Sequence, residues 1–177
     1  LGFEFIYDLG RVPDAIICPT GTGMAIAAIG KAFDELEAMG WITAVRPRLV
    51  AVQPDTFAPL VHAFRKHLDQ SEPWTKSSDS APRELRCSST HASTLALAAL
   101  RSSRGTAIAV PEKEIALGQS LLARRLGLEG APEKLSFAEN MGLPDELLEG
   151  SRAHPGGQRH SPIIDKTGLV TVVSSLP

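Results

Sequence analysis

The feature that most constrains the fold is a short apolar run joined by a glycine turn to an amphipathic helix. The run Ala15-Ile16-Ile17-Cys18 is apolar and rich in β-branched residues, which predicts a buried strand. From Met24 to Met39, apolar residues recur at three- and four-residue spacing, and Gly40 supplies a C-terminal stop. A second apolar run, Leu49–Gln53, predicts another buried strand. Strand, helix and strand in this order predict a parallel βαβ unit.

The same alternation continues downstream. The pattern predicts a helix at Phe57–Leu68, followed by a Ser- and Pro-rich loop at Asp69–Ser93. A helix at Thr94–Arg101 and a strand at Thr106–Val110 come next. A further helix is predicted from Pro111 to Leu126, with Ile115, Leu122 and Leu126 on its buried side. Weaker patterns predict a short helix within 140–150 and a last strand within 167–175. These elements favour an α/β fold, a three-layer parallel sheet with helices on both faces.

Composition excludes several classes of protein. The 177 residues carry a net charge of −2 and are 43 % hydrophobic, which excludes wholesale disorder and gives no electrostatic case for a nucleic-acid partner. No apolar run is long enough for a membrane helix. Two cysteines, Cys18 and Cys87, are too few for a disulfide framework and indicate a reducing cytoplasm. Because the chain begins at Leu1 inside an apparent element, we expect it to be a piece of a longer protein.

The turn Pro19-Thr20-Gly21-Thr22-Gly23 is the first candidate site. Backbone amides and the positive end of the helix dipole make such a turn a natural phosphate site, and glycines let an anion approach the backbone. The alternative is a tight turn that needs a positive φ angle and binds nothing. The turn is neither a P-loop nor a dinucleotide fingerprint. His154 and His160 do not have the spacing of a zinc site, so no metal is expected.

Several longer segments carry a family resemblance. They are Leu1–Glu4, Arg11–Ile17, Pro19–Gly21, Lys31–Ile42, Arg46–Gln53, Ala58–Val61 and Gly105–Val110. In this order they resemble the middle of threonine synthase, an enzyme of the tryptophan-synthase β type (fold type II) that uses pyridoxal 5'-phosphate (PLP). The resemblance covers residues 1–130, which we interpret as a PLP-binding α/β region with a loop at 69–93. Residues 131–177 are then a divergent, weakly structured C-terminal tail.

The resemblance implies that Gly21, Thr22, Gly23, Met24 and Ala25 form the glycine-rich loop that holds the PLP phosphate. The family usually shows a run such as Gly-Gly-Gly-Thr-Gly, and only Gly21 and Gly23 retain it here. The family's Schiff-base lysine lies in a Ser-x-Lys-Asp segment upstream of the match. None of the lysines here has that context: Lys31, Lys66, Lys76, Lys113, Lys134 and Lys166. We therefore assign no catalytic residue and expect the isolated chain to be inactive.

The resulting hypothesis is a fragment of a threonine-synthase-like lyase. The intact enzyme would convert O-phosphohomoserine to threonine and phosphate, in amino-acid biosynthesis. The expected partners are a phosphate-bearing small molecule, the missing N-terminal half of the enzyme and a second copy in a homodimer, with no nucleic acid and no membrane. Two alternatives remain open: a non-catalytic module that binds phosphate or a partner chain, and a fragment of another fold type II PLP enzyme.

Overall fold

The computed structural model describes residues 2–79, 81, 83–115, 117 and 171–173. Its elements are α1 (Gly2–Leu9), β1 (Ala15–Pro19), α2 (Met24–Ala38), β2 (Arg48–Pro54), α3 (Pro59–Arg65), a 3₁₀ turn (Arg83–Leu85), α4 (Ser93–Ser102), β3 (Thr106–Val110) and β4 (Thr171–Val173). Residues 112–115 are also helical. Strands and helices alternate from β1 to β3, as the sequence predicts.

The strands form one sheet in the order β3-β2-β1-β4. β1 and β2 pair in parallel, with Ala15 opposite Arg48, and β2 and β3 pair in parallel, with Val50 opposite Thr106. The predicted βαβ unit and parallel sheet are therefore confirmed. β4 lies within the predicted last strand, but it pairs antiparallel to β1, with Ala15 opposite Val173. It adds an antiparallel edge to the parallel sheet.

The two faces of the sheet are both apolar, because successive side chains of a buried strand point to opposite faces. On one face, Ile16, Cys18, Leu49, Ala51 and Ala107 form a core with buried residues of α1, α2, α3 and α4. On the other face, a second cluster joins Ile17, Val50, Val52 and Val110 to Ile115, which lies in the helical residues 112–115. The predicted layers on both faces of the sheet are confirmed.

Helix α2 follows the predicted pattern closely. Its apolar stripe is 2 % exposed or less, and it comprises Ile26, Ile29, Phe33 and Leu36. Gly40, with φ +72°, follows the helix and allows the chain to turn away, as predicted for a C-terminal stop. The stripe holds α2 against the sheet, which fixes the position of the helix's first turn beside β1.

Both predicted boundaries of helix α3 are wrong. Helix α3 is shorter than the predicted Phe57–Leu68, because the chain leaves the helix after Arg65 and His67 adopts φ +57°. The Leu68 amide then donates to the Ala63 carbonyl at 2.9 Å, so the chain folds back against the end of the helix. Within 69–93, the described residues are irregular apart from the turn Arg83–Leu85 and Ser93, where α4 begins.

The predicted helix within 140–150, the burial of Leu122 and Leu126, and the tail at 131–170 lie outside the described residues. The boundary between the two predicted regions therefore stays a prediction. Within the ranges that are described, no helix is long and apolar enough to cross a membrane. Cys18 is buried in the core and Cys87 is half-buried, and neither forms a disulfide bond.

Candidate functional site

The glycine turn lies where β1 ends and α2 begins. The Thr20 amide donates to the Val52 carbonyl at 2.9 Å, so the pairing of β1 with β2 continues one residue past the strand. Gly21 and Gly23 are buried, whereas the Met24 side chain is 62 % exposed. The turn is thus anchored in the sheet on one side and reaches the surface on the other.

Two threonine hydroxyls shape the turn from within. The Gly23 amide donates to Thr20 Oγ1 at 3.0 Å, and the Met24 amide donates to Thr22 Oγ1 at 3.4 Å. Gly23 has φ +82°, a left-handed conformation that glycine adopts without the steric cost of a side chain. Thr20 is part of the predicted turn but not of the residues predicted to hold the phosphate, although a threonine that caps its own turn is a recognised local signal.

The first turn of α2 offers free amide donors. The earliest intrahelical bond runs from the Ala27 amide to the Gly23 carbonyl at 3.0 Å. The amides before Ala27 have no acceptor within a helix, and Gly23 provides no side-chain cap. In the described part of the turn, Ala25 and Ile26 therefore present backbone N–H groups without an acceptor at the positive end of the helix dipole, whereas the Met24 amide donates to Thr22 Oγ1 at 3.4 Å. This donor set suits an anion.

The segment 84–92 covers the turn. A Cβ atom added to Gly21 would lie 3.0 Å from the Glu84 carbonyl oxygen, and one added to Gly23 would lie 2.9 Å from Thr90 Cγ2. The Ala92 amide also donates to the Thr22 carbonyl at 3.2 Å. Both glycines are therefore needed by the packing of the protein itself, apart from any need of a ligand to approach them.

Gln53 connects this turn to the next helix. Its side chain is fully buried, and Nε2 donates to the Gly21 carbonyl at 3.3 Å. Its Oε1 accepts from the amides of Leu60 and Val61 at 2.9 and 3.2 Å. The amide group thereby holds the Gly21 carbonyl and satisfies donors at the start of α3. Gln53 was predicted only as the end of a strand, because its partners lie far away in the sequence.

A buried oxygen beside the turn lacks a partner. Thr90 is 4 % exposed, and its Oγ1 is the one buried side-chain polar atom in the described residues without a hydrogen bond. The methyl group on the same carbon packs against Gly23, which places this side chain beside the start of α2. The predicted residues Gly21, Thr22, Gly23, Met24 and Ala25 form this turn and the first two positions of α2, and their binding of a phosphate stays a prediction.

The four described lysines lie in settings that suit solvated charges, and Lys113 is exposed. Lys31, 76 % exposed on α2, pairs with Glu35 at 2.8 Å. This hydrogen bond and the charge of Glu35 raise the pKa of the Lys31 amine, whereas a nucleophilic amine requires a lowered pKa. Lys66 lies 4.0 Å from Glu72, and Lys76 lies over the ring of Trp74. Lys31 is also about 10 Å along the helix from Met24, given the rise per residue.

No group of three or more His, Cys, Asp or Glu side chains gathers within the described ranges in a way that would hold a metal ion. His154 and His160 lie outside those ranges. The candidate site therefore consists of backbone donors, hydroxyl groups and one buried amide.

Comparison with known proteins identifies the family. Residues 1–134 match the family described as pyridoxal-phosphate dependent enzyme. The chain is 36 % identical over 151 residues to threonine synthase from Methanocaldococcus jannaschii, which covers 85 % of this chain and 36 % of that protein. It is 33 % identical over 133 residues to threonine synthase from Methanosarcina acetivorans, which covers 75 % of this chain and 32 % of that protein. The chain thus spans about a third of the length of these relatives.

Solved structures agree on the fold. The L-serine ammonia-lyase from Rhizomucor miehei has a TM-score of 0.59 at 18 % identity, over 83 % of this chain and 44 % of that one. Serine racemase from maize has a TM-score of 0.56 at 16 % identity, over 76 % and 38 %. These likenesses show the fold of the fold type II PLP enzymes, as predicted. Since the family match extends over most of its length, the chain belongs to the pyridoxal-phosphate-dependent enzymes.

Proposed function

We propose that the chain is part of a threonine-synthase-like enzyme that binds PLP at the glycine turn. The whole enzyme would convert O-phosphohomoserine to threonine and release phosphate. The identity to two threonine synthases supports the reaction class. The observation that carries the proposal is the row of backbone N–H groups at the start of α2. The Thr20 hydroxyl, which accepts from the Gly23 amide, and the positive φ of Gly23 fix the turn that joins these groups to the end of β1. The proposed compartment is the cytoplasm.

The cofactor phosphate would be held by the residues Gly21, Thr22, Gly23, Met24 and Ala25. Backbone N–H groups supply the hydrogen bonds, so the side chains of Thr22, Met24 and Ala25 need only stay clear of the anion. Thr20 and Gln53 act behind the turn: one accepts from the Gly23 amide and the other binds the Gly21 carbonyl. When bound, PLP supplies an electron-withdrawing ring that stabilises negative charge at a substrate carbon.

We propose further that this chain by itself does not catalyse the reaction. The resemblance implies that the cofactor-bearing lysine lies upstream of the matched region, and the chain spans about a third of the length of the curated relatives, which supports this proposal. Of the described lysines, Lys31 is exposed and its pKa is raised, which is the opposite of what a reactive amine needs. The missing residues would then be the partner that completes the site, and a homodimer stays a prediction.

The binding proposal is tested by equilibrium dialysis with PLP and with pyridoxal, which lacks the phosphate. We expect the purified chain to retain PLP with a stoichiometry of one and to bind pyridoxal more weakly. Orthophosphate should compete with PLP. Equal binding of PLP and pyridoxal, or retention of neither, would contradict a phosphate site at the turn. Borohydride reduction followed by peptide mapping tests the lysine: a single stoichiometric PLP adduct on one lysine of this chain would overturn that part.

The alternative is a non-catalytic module that binds a phosphate-bearing ligand. It is favoured by the side chains at Thr22, Met24 and Ala25, where the family's usual run has mostly glycine. Co-expression with the upstream part of the Methanocaldococcus jannaschii threonine synthase distinguishes the two. Co-purification and threonine formation from O-phosphohomoserine support the enzyme. Phosphate binding without association or turnover supports the module.

A further inference from the structure

An unsatisfied hydroxyl lies beside the glycine turn, on a residue that the family pattern does not single out. Thr90 is 4 % exposed and its Oγ1 has no hydrogen-bond partner among the described residues. Buried polar atoms nearly always have a partner, so an exception requires a physical reason. Its neighbours Ser89 and His91 are exposed, and only Thr90 of this stretch turns inward.

The side chain of Thr90 points at the start of α2. Its Cγ2 lies 2.9 Å from the position that a Cβ atom of Gly23 would take. Its carbonyl accepts from the Ser93 amide at 3.0 Å, which places Thr90 at the start of α4 as well. Neither α2 nor α4 has a side-chain hydrogen bond from its N-cap residue, so two uncapped, positive helix ends lie near Thr90.

No carboxylate of the surrounding segments competes for this place. The sequence has no Asp or Glu between Asp14 and Asp34, the stretch that contains the turn and most of α2. It has none between Glu84 and Glu112, the stretch that contains Thr90 and α4. Glu84, at the far end of the covering segment, is exposed, so the two segments that meet at Thr90 contribute donors and positive helix ends without a buried negative side chain, which favours an anionic ligand.

We propose that Thr90 Oγ1 donates a hydrogen bond to the phosphate group bound at the glycine turn. The proposal rests on the phosphate site of the proposed function, and its ligand class is a phosphate monoester dianion. The hydroxyl shares its carbon with the methyl group that contacts Gly23. A rotation of about 120° about the Cα–Cβ bond places the oxygen where the methyl group now lies, on the α2 side, and moves the methyl group to the position of the Cβ hydrogen; the ligand then satisfies the oxygen. Thr90 thus adds the segment that leads into α4 to a phosphate site otherwise built from the start of α2.

The test compares Thr90→Val, which keeps the shape but removes the hydroxyl, with Thr90→Ser, which keeps the hydroxyl. The probes are orthophosphate, PLP and pyridoxal, and the readouts are dissociation constants and the phosphate-induced rise in Tm. We expect Thr90→Val to weaken orthophosphate and PLP about tenfold or more, as for the loss of a hydrogen bond to a charged group. Thr90→Ser should stay within a few-fold of wild type. Thr94→Val, the same change at an exposed position of α4, should have no effect.

The results separate this inference from the proposed function. If the hydroxyl is merely unsatisfied, Thr90→Val raises Tm without phosphate and binds orthophosphate and PLP as tightly as wild type. That result overturns the inference and leaves the PLP site standing. If pyridoxal binding falls as much as PLP binding, the hydroxyl does not act on the phosphate, and the inference is again overturned. If wild type binds neither orthophosphate nor PLP, both the inference and the proposed phosphate site are overturned.

Discussion

The buried side chain of Gln53 donates a hydrogen bond to the Gly21 carbonyl at 3.3 Å and so couples the sheet to the glycine turn. Its side-chain oxygen, Oε1, accepts hydrogen bonds from the backbone amides of Leu60 and Val61. The Gln53 side chain therefore contacts both the turn and α3. One residue of β2 therefore fixes the carbonyl of one site residue and the beginning of the next helix.

Replacing Gln53 by Met should destabilise the protein strongly. The substitution keeps the length of the side chain but leaves the Gly21 carbonyl and two amides of α3 buried without partners. We expect a loss of about 2–4 kcal/mol in the free energy of unfolding, measured by urea denaturation. Gln70→Met, at an exposed position, should change it by less than about 0.5 kcal/mol. Equal effects of the two substitutions would show that the buried hydrogen bonds contribute nothing.

Replacing Gly23 by Ala should damage the turn more than its backbone angle alone requires. Gly23 and Gly40 have similar positive φ angles, +82° and +72°. A Cβ at Gly23 would lie 2.9 Å from Thr90 Cγ2, whereas one at Gly40 would meet nothing within 4 Å. We expect Gly40→Ala to cost about 1 kcal/mol and Gly23→Ala to cost about 2–3 kcal/mol and to weaken PLP binding. A cost for Gly23→Ala no larger than for Gly40→Ala would contradict the contact with Thr90.

The sequence pattern reveals those elements whose signals are local. β1, β2 and α2 follow from apolar periodicity, because each buries a face that its own residues define. The early end of α3 depends on the chain folding back at Leu68, and the antiparallel pairing of β4 joins residues more than a hundred positions apart. Helix α1 has eight residues, too few for a periodic signal to stand out.

The candidate site divides in the same way. Gly21 and Gly23 mark the turn in the sequence, because a glycine between a strand and a helix has a local meaning. Gln53 is a single polar residue at the end of an apolar run, and its partner Gly21 is 32 residues away. Thr90 lies in a polar loop, where its burial depends on α2 and α4 and leaves no pattern in the sequence.

Arg46 should contribute an electrostatic link between α2 and the segment that leads into β2. Its guanidinium contacts the carboxylates of Asp34 and Glu37, and these hydrogen bonds raise the pKa of Arg46. Because the pKa of Arg46 is raised in the folded protein, its stabilising charge is present at every pH below the ordinary pKa of arginine and is lost only in strong alkali. The loss of unfolding free energy caused by Arg46→Met should therefore be equal at about pH 6 and about pH 9.

We expect Arg46→Met to lower the free energy of unfolding by about 1 kcal/mol at low salt, because Asp34 is largely exposed and solvent screens the pair. The loss should shrink by half or more at about 1 M NaCl, where the Debye length is shorter than most charge separations. Arg65→Met, at an exposed position on α3, is the control. A loss that does not depend on salt would assign the effect to packing of the Arg46 stem.

Helices α2 and α4 approach each other through Gly30 and Ala99. A Cβ added to Gly30 would lie 2.6 Å from the Cβ of Ala99, so Gly30→Ala should force the helices apart and cost about 1–3 kcal/mol. Ala99→Gly alone should cost about 1 kcal/mol, because glycine weakens a helix interior. In the double variant the methyl group merely changes sides, so we expect the double variant to be more stable than the sum of the single losses predicts, by at least about 1 kcal/mol. Urea denaturation of the four proteins measures this coupling. If the two single losses of unfolding free energy simply add in the double variant, the two helices do not meet at Gly30 and Ala99. In that case the start of α4 and the preceding Thr90 would not be held against the start of α2.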